Sequence, residues 1–515
     1  GCCWRLAARS PAPWLRARRR AEVFGYLKRL VTAGAAYQAG DILSKGAALV
    51  TLPLYTRYVA KTQYGYAEAL LTAVILASII LRLGIGEAFI RFYYDDEDTE
   101  RRDRIAAGAV ALSFVTTTIA ALAGVALAGP LSRAMLGAHT KALFEIAMLG
   151  IWAFTNLEIA YALLRADERK RTYMKASIAD VSLTIPLMVY LVVFRHDQAR
   201  GLLAGNYVAS SLILLGLWWN ERHRLLDGLR RARPGAPPLA LRRLLHFGLP
   251  TVPADASVYA LQVADRWYLV RDYSPAAAGV YAIAAKLATV VFVAVRGFQY
   301  AWPPLAYSVE DDEEAARLYA LVTTYYVLAT GAVVAGVALF SRWGVRILYH
   351  TYFNAYKAIP WLALGWALYG LYLIFIVISG RARRTRLNVP AAFAGLAVNV
   401  ACLFLLVPPL GIAGAGIALA IGYTAMIIVI YLLTRSLFAI DFEWGRLARL
   451  VVVFVVVSVG GDLFFPTHGL AGFLLRALAW LLIFPLLRAS GFFTQAERAR
   501  AGALAATILH RRRRT

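Results

Sequence analysis

The chemistry open to this chain rests on a few ionisable residues set inside long apolar runs. Four are cations, Lys45, Arg82, Lys286 and Arg296, and five are carboxylates, Asp41, Glu87, Asp180, Asp255 and Asp265. Each costs about 2.5 to 3.5 kcal/mol at the centre of a membrane helix, so each needs a partner or a water-filled cavity. Gln38, Asp41 and Lys45 share one helical face, and Asp41 and Lys45 can pair at i, i+4. They either neutralise each other and hold that helix in place, or line a polar cavity with Lys45 available to an anionic head group. Arg82 precedes Gly84 and Gly86, which permit close helix approach. Glu87 and Arg91 repeat the i, i+4 spacing, with Arg91 read as an interfacial anchor.

Behind Pro250 and Pro253 come Asp255, Tyr259, Gln262 and Arg266 at roughly helical spacing, with Asp265 one step off that face. Prolines in a span are tolerated where the helix lines a cavity or bends to gate it. Arg296 follows the apolar stretch Val290 to Val295, where a lipid-facing guanidinium would be expensive, so a cavity-facing position is expected. Glu158 and Asp180 suit coupling or packing equally well. Arg476 could snorkel or bind a lipid phosphate.

The elements that must position these residues are membrane helices. Of the 515 residues, 60% are hydrophobic and 17% charged. The apolar residues gather in runs of about 18 to 25, long enough to cross a hydrocarbon core of about 30 Å. Period-2 alternation is missing, so the spans are helices and the class is an all-α polytopic membrane protein. About fourteen spans are expected. They would form two six-helix bundles, 29–220 and 246–433, joined by a basic linker at 221–245 that holds Pro234, Pro237 and Pro238. Two further helices occupy 434–488, with basic tails at 1–28 and 489–515.

The net charge of +25 is spread through the short connections between apolar runs, where orientation signals belong, which argues against a nucleic-acid partner. Roughly 39 Lys and Arg fall on the N-terminal side of the membrane and roughly 11 on the other, which predicts both termini in the cytoplasm. Cys2, Cys3 and Cys402 form neither a disulfide framework nor a metal-ligand spacing. No phosphate-binding glycine loop, paired histidines or nucleophile elbow appears, so a transporter without cofactor or metal is expected rather than an enzyme.

An internal repeat supports the two bundles. Arg57-Tyr58-Val59 followed by Gly65-Tyr66-Ala67 matches Arg266-Trp267-Tyr268 followed by Gly279-Val280-Tyr281-Ala282. Six spans per unit is an even number, so the repeats would be parallel, related by an axis along the membrane normal.

Leu52-Pro53-Leu54-Tyr55, Tyr64-Gly65-Tyr66-Ala67, Leu83-Gly84-Ile85-Gly86 and Ile90-Arg91-Phe92 resemble the opening of polysaccharide-type flippases of the multidrug/oligosaccharidyl-lipid/polysaccharide exporter superfamily. The resemblance is best over about the first 100 residues and is carried further by the repeat and hydropathy. It implies a flippase that moves a polyprenyl-diphosphate-linked oligosaccharide across the bacterial inner membrane by alternating access, for surface polysaccharide synthesis. Membrane lipids and other polysaccharide-assembly proteins would be its partners. Lys45, Arg82, Lys286 and Arg296 would then be cavity cations that hold the diphosphate, since guanidinium groups bind phosphate oxygens bidentately and lysine adds a point charge. An ion-coupled small-molecule exporter would favour an acidic cavity, and a membrane glycosyltransferase or polymerase a catalytic carboxylate cluster at one face.

The topology is testable in sealed cells. Cysteines introduced at Ala166 and Gly235 are expected to resist membrane-impermeant thiol reagents, and one at His468 to be labelled. Labelling of the first two would reverse the orientation.

Overall fold

The computed structural model describes residues 46, 49–86, 88–89, 99–138, 140–231 and 239–495. Asp41, Lys45 and Glu87 lie outside the described residues, as do the tail at 1–28, most of the first expected span and part of the linker. Helices and no strands occur among the described residues, the expected all-α class.

The first half comprises α1 (49–58), α2 (Lys61–Leu81), α3 (Thr99–Ala126), α4 (Ala128–Leu136), α5 (Lys141–Ala166), α6 (Lys170–Val189) and α7 (Gln198–Arg231). The second comprises α8 (Leu239–Gly248), α9 (Val252–Tyr268), α10 (Pro275–Ser308), α11 (Asp312–Val345), α12 (Ile359–Arg381), α13 (Asn388–Leu410) and α14 (Ile412–Thr434). Then follow α15 (Trp444–Phe464), α16 (Gly469–Leu481) and α17 (Ile483–Ala489). Among the described residues, 12 helices are long and apolar enough to cross a membrane.

The expected seventh span, 246–269, is a broken helical path. A 3-10 turn at Leu249–Thr251 separates α8 from α9, and a π turn at Leu269–Tyr273 follows α9. Pro250 and Pro253 explain the first break, because each lacks the N–H that an α-helix interior requires.

Burial divides the helices by environment. In α5, 72% of the apolar window is buried, whereas the window spanning Lys170–Phe194 is 6% buried. Val451, Val452, Val455, Val456 and Val459 of α15 are all exposed. Continuous apolar faces of this extent are foreign to water-soluble monomers and suit contact with lipid.

Each half is tied together at the end of α2 that carries Arg82. Arg224 of α7 reaches Asp103 of α3 at 2.5 Å and Asp167 beyond α5 at 2.5 Å. In the second half Arg381 of α12 meets Asp312 of α11 at 2.7 Å and donates to the Val309 carbonyl at 2.7 Å. The acidic stretch from Glu310 to Glu314 thus serves the start of α11. Asp311 caps that helix by accepting from the Glu314 N–H at 2.8 Å, and the acids face its positive end. Arg476 is 1% exposed and neither snorkels nor faces a lipid head group. It donates to the carbonyls of Leu339, Phe465 and Pro466 and pins the turn between α15 and α16 onto α11.

The halves meet mainly where α2 packs on α10, with α9 beside them. Ser274 and Pro275 start α10, the serine accepting from the Ala277 N–H at 3.4 Å and the proline occupying the first turn. Gly279 therefore falls in the second turn. A Cβ on Gly65 would strike the Pro275 carbonyl and the Gly279 nitrogen; one on Gly279 would strike the Lys61 carbonyl and the Gly65 nitrogen. Such reciprocity is what a two-fold relation between equivalent contact surfaces produces.

A second reciprocal pair closes the opposite end. A Cβ on Gly84, whose φ is +68°, would strike the Gly248 backbone, and one on Gly248 would strike the Gly84 carbonyl. Near the first pair, the 3-10 segment His350–Lys357 clasps α1, with the Tyr352 hydroxyl donating to the Val59 carbonyl at 2.9 Å. The Tyr349 N–H also donates to Thr56 Oγ1 at 3.5 Å.

Adding a large side chain at the first pair should separate the halves without unfolding either. Gly279→Leu is expected to reach the membrane at near wild-type abundance and to lose most of the oxidative cross-linking between Thr56→Cys and Tyr349→Cys. Undiminished cross-linking would show that another contact holds this end closed.

Candidate functional site

Between the two glycine pairs the interface holds charged residues. Lys286 of α10 places Nζ 2.5 Å from Glu68 Oε1 of α2 and donates to the Tyr64 hydroxyl at 2.6 Å. Its ammonium also lies 5.1 Å from the centroid of the Tyr64 ring. Glu68, Tyr64 and Asp265 are buried. Asp265 accepts from the Tyr281 hydroxyl and from the Arg266 N–H at 2.8 Å. Arg266 donates to the Gln262 carbonyl at 3.1 Å and lies within electrostatic reach of Glu68. Its Nε is buried and lacks a hydrogen-bond partner among the described residues. Trp267 donates across the interface to the Ala69 carbonyl at 3.2 Å.

The geometry follows from the helix starts. Glu68 lies one turn beyond Gly65, and Lys286 two turns beyond Gly279. The backbone contact at the glycines therefore brings the two side chains together. The Glu68 side chain is 10% exposed and that of Lys286 33%, so their attraction is stronger than between two fully hydrated charges. Sequence reasoning singled out Lys286, Asp265 and Arg266 but missed Glu68 and gave Tyr64 no part in a site. The available signal was that Glu68 is the only acid in the apolar sequence of α2.

The other sequence-derived candidates lie apart from this cluster. Arg82 caps α2, with Nη1 3.7 Å from Glu158 Oε2 and Nε donating to the Ser78 carbonyl at 3.3 Å. Asp180 accepts from the Ser210 hydroxyl at 3.4 Å. Arg296 donates to Gln299 Oε1 at 3.2 Å and stands 4.9 Å over Phe292, with its Nε buried and unpartnered among the described residues. Asp255, in the first turn of α9, is exposed and shares the electrostatic surroundings of Tyr369 with Arg296.

Lys286 and Arg296 are ten residues apart on one helix, about 15 Å along its axis at 1.5 Å per residue. Two adjacent phosphates cannot touch both at once. The cations thus form successive stations along α10 rather than one cluster.

A cavity of about 1080 Å³ opens elsewhere, between α11, α12, α14 and α15. Its walls are mostly apolar, including Val334, Leu368, Ile428 and Val455, and Arg342, Lys357 and Asp462 stand at one end. It can accept a hydrocarbon chain.

Comparison with known proteins agrees with this architecture. The chain is 25% identical over 277 residues to protein 1 of the lsg locus of Haemophilus influenzae, a match covering 53% of this chain and 64% of that protein. The chain therefore spans less than two thirds of that relative's length. Its fold is similar to that of the lipid II flippase MurJ in an inward closed conformation, with a TM-score of 0.69 and 12% identity over 88% of this chain and 98% of that one. It is similar also to an inward-facing multidrug resistance MATE family transporter of the MOP superfamily, with a TM-score of 0.61 and 18% identity over 79% and 99% of the two chains. Residues 31–306 match the model of the polysaccharide biosynthesis protein family, and with more than half of its length so matched the chain belongs to that family.

Proposed function

We propose that the protein is a flippase that carries a polyprenyl-diphosphate-linked oligosaccharide across the cytoplasmic membrane by alternating access, for surface polysaccharide synthesis. The observation that carries this reading is the charged interface enclosed between two glycine contacts, with further cations farther along the same helices. A transporter of this kind needs two bodies that separate at one face while closing at the other. It also needs cations where a diphosphate must cross low dielectric.

The two bodies are the bundles 29–220 and 246–433, and 434–488 forms an appendage on the second. With both termini cytoplasmic, the Gly65–Gly279 contact lies toward the outer face and the Gly84–Gly248 contact toward the cytoplasm. The arrangement described has both ends shut. The diphosphate enters from the inner leaflet near Arg82 and Arg296 and passes to Lys286 as the outer contact opens. Asp180, Asp255, Glu158 and Asp265 balance these cations. The apolar cavity beside α15 accommodates hydrocarbon while the polar head crosses. Lys45, Asp41 and Glu87 lie outside the described residues; in this reading Lys45 adds a cavity cation, and Asp41 and Glu87 are coupling or pairing carboxylates. Other polysaccharide-assembly proteins would supply the substrate and take up the product.

The test measures membrane abundance and surface-glycan output together for Ala, Lys and Glu substitutions at Arg82 and Arg296. Loss of a charge-assisted contact is worth about 1.5 to 3 kcal/mol, or about 10- to 150-fold in affinity. Arg296→Ala should therefore keep its abundance and lose output, with Lys rescuing in part because it retains charge without the planar fork. Arg296→Glu should be worst. Arg82→Ala is expected to lose output and some abundance, because Glu158 is left without its partner. Full output from Arg296→Ala at normal abundance would remove the arginine from the transport path.

A further inference from the structure

We infer that Glu68 is an internal stand-in for the substrate's diphosphate: it occupies the anion site made by Lys286 and Arg266 while the outer contact is closed, and the substrate displaces it on opening. The inference rests on the reading that the substrate carries a diphosphate, and it adds a residue that this reading does not require.

The argument is one of charge. Glu68 from the first half and Asp265 from the second balance Lys286 and Arg266, so the cluster is formally neutral while closed. Glu68 and Tyr64 sit on α2 in the first half, and the other three charges on α9 and α10 in the second. Separation of the halves carries one carboxylate away and leaves two cations with one. Asp265 cannot compensate for both, because it is already held by the Tyr281 hydroxyl and the Arg266 N–H.

The second half would then present a net positive site in a poorly solvated wall. It has donor capacity ready, since the Arg266 Nε is buried and unpartnered among the described residues. A stranded cation of this kind opposes opening, and an arriving anion removes the opposition. The anion must bring at least the charge and the acceptors that Glu68 takes away. A diphosphate brings more of both, and its oxygens suit guanidinium and ammonium donors alike. Binding and outward opening are therefore linked, each favouring the other. A wholly structural pair would make Glu68 necessary for stability and indifferent to ligand.

The experiment uses the full chain in nanodiscs, with farnesyl diphosphate as the probe and farnesol as the control. Closed-state masking lowers apparent affinity in proportion to the fraction of open molecules. Glu68→Gln, which removes the competing charge with little change of shape, should therefore bind farnesyl diphosphate about tenfold or more tightly than wild type. Lys286→Met should bind it weakly, and so should the double variant. With native cysteines removed, Thr56→Cys with Tyr349→Cys should cross-link less when farnesyl diphosphate is added and no less with farnesol.

The exchanged variant Glu68→Lys with Lys286→Glu should recover cross-linking without probe binding, which separates loss of the fold from loss of the site. Wild-type affinity in Glu68→Gln, alongside binding that depends on Lys286 and cross-linking that ignores the probe, would overturn the stand-in role and leave the flippase reading intact. Indifference of every form, wild type included, to farnesyl diphosphate would instead count against the diphosphate substrate itself.

Discussion

The absence of a side chain at Gly65 and Gly279 governs how near α2 and α10 can come, and the electrostatics of the interface depend on that distance. Any Cβ at either position meets backbone on the other helix, and backbone, unlike the end of a flexible side chain, has nowhere to move. Close approach lets Glu68 reach Lys286 at 2.5 Å, with the Glu68 side chain largely buried at the contact. Held a few ångströms farther apart, the same residues would be two separately hydrated charges with a weak mutual attraction. The reciprocal contact at Gly84 and Gly248 applies the same constraint at the other end. Between them the two glycine pairs hold the halves in backbone contact at both ends of the interface.

Within each half, arginines supply much of the cohesion. Arg224 joins the ends of three elements in the first half, and Arg381 joins α12 to the start of α11 in the second. Arg476 saturates the carbonyls exposed where the chain turns between α15 and α16. These guanidinium groups are fully engaged by backbone or carboxylate, as five donors in a rigid fork allow. Arg296 and Arg266 differ from them, because each retains a buried Nε without a partner among the described residues.

Much was legible in the residue order alone. Membrane spans follow from the length and composition of apolar runs, since lipid imposes one rule on every exposed segment. The repeat was legible because both copies solve the same packing problem: Gly65 and Gly279 stand at matching positions in their motifs and in the structure each faces the other. The costly ionisable residues were also visible as such, because charge in an apolar run has no local justification. Departures from these expectations had local causes. The seventh span is interrupted because Pro250 and Pro253 cannot donate to a helical ladder.

What residue order did not contain was which charge meets which. Lys286 and Glu68 are more than two hundred residues apart, and their pairing exists only because two helices from different halves cross at glycines. Glu68 went unremarked in the sequence, and Arg82 gave no sign that Glu158 would be its neighbour. Arg476 looked like a group bound for the membrane surface, yet its carbonyl partners come from α11 and from the turn after α15. Composition and spacing determined that this chain crosses a membrane, repeats itself and carries charge into its spans, because those properties act along one helix at a time. Tertiary structure alone decided which charges are neutralised and which remain available, because Coulomb energy in a low dielectric depends on distances of a few ångströms between segments that the sequence keeps far apart.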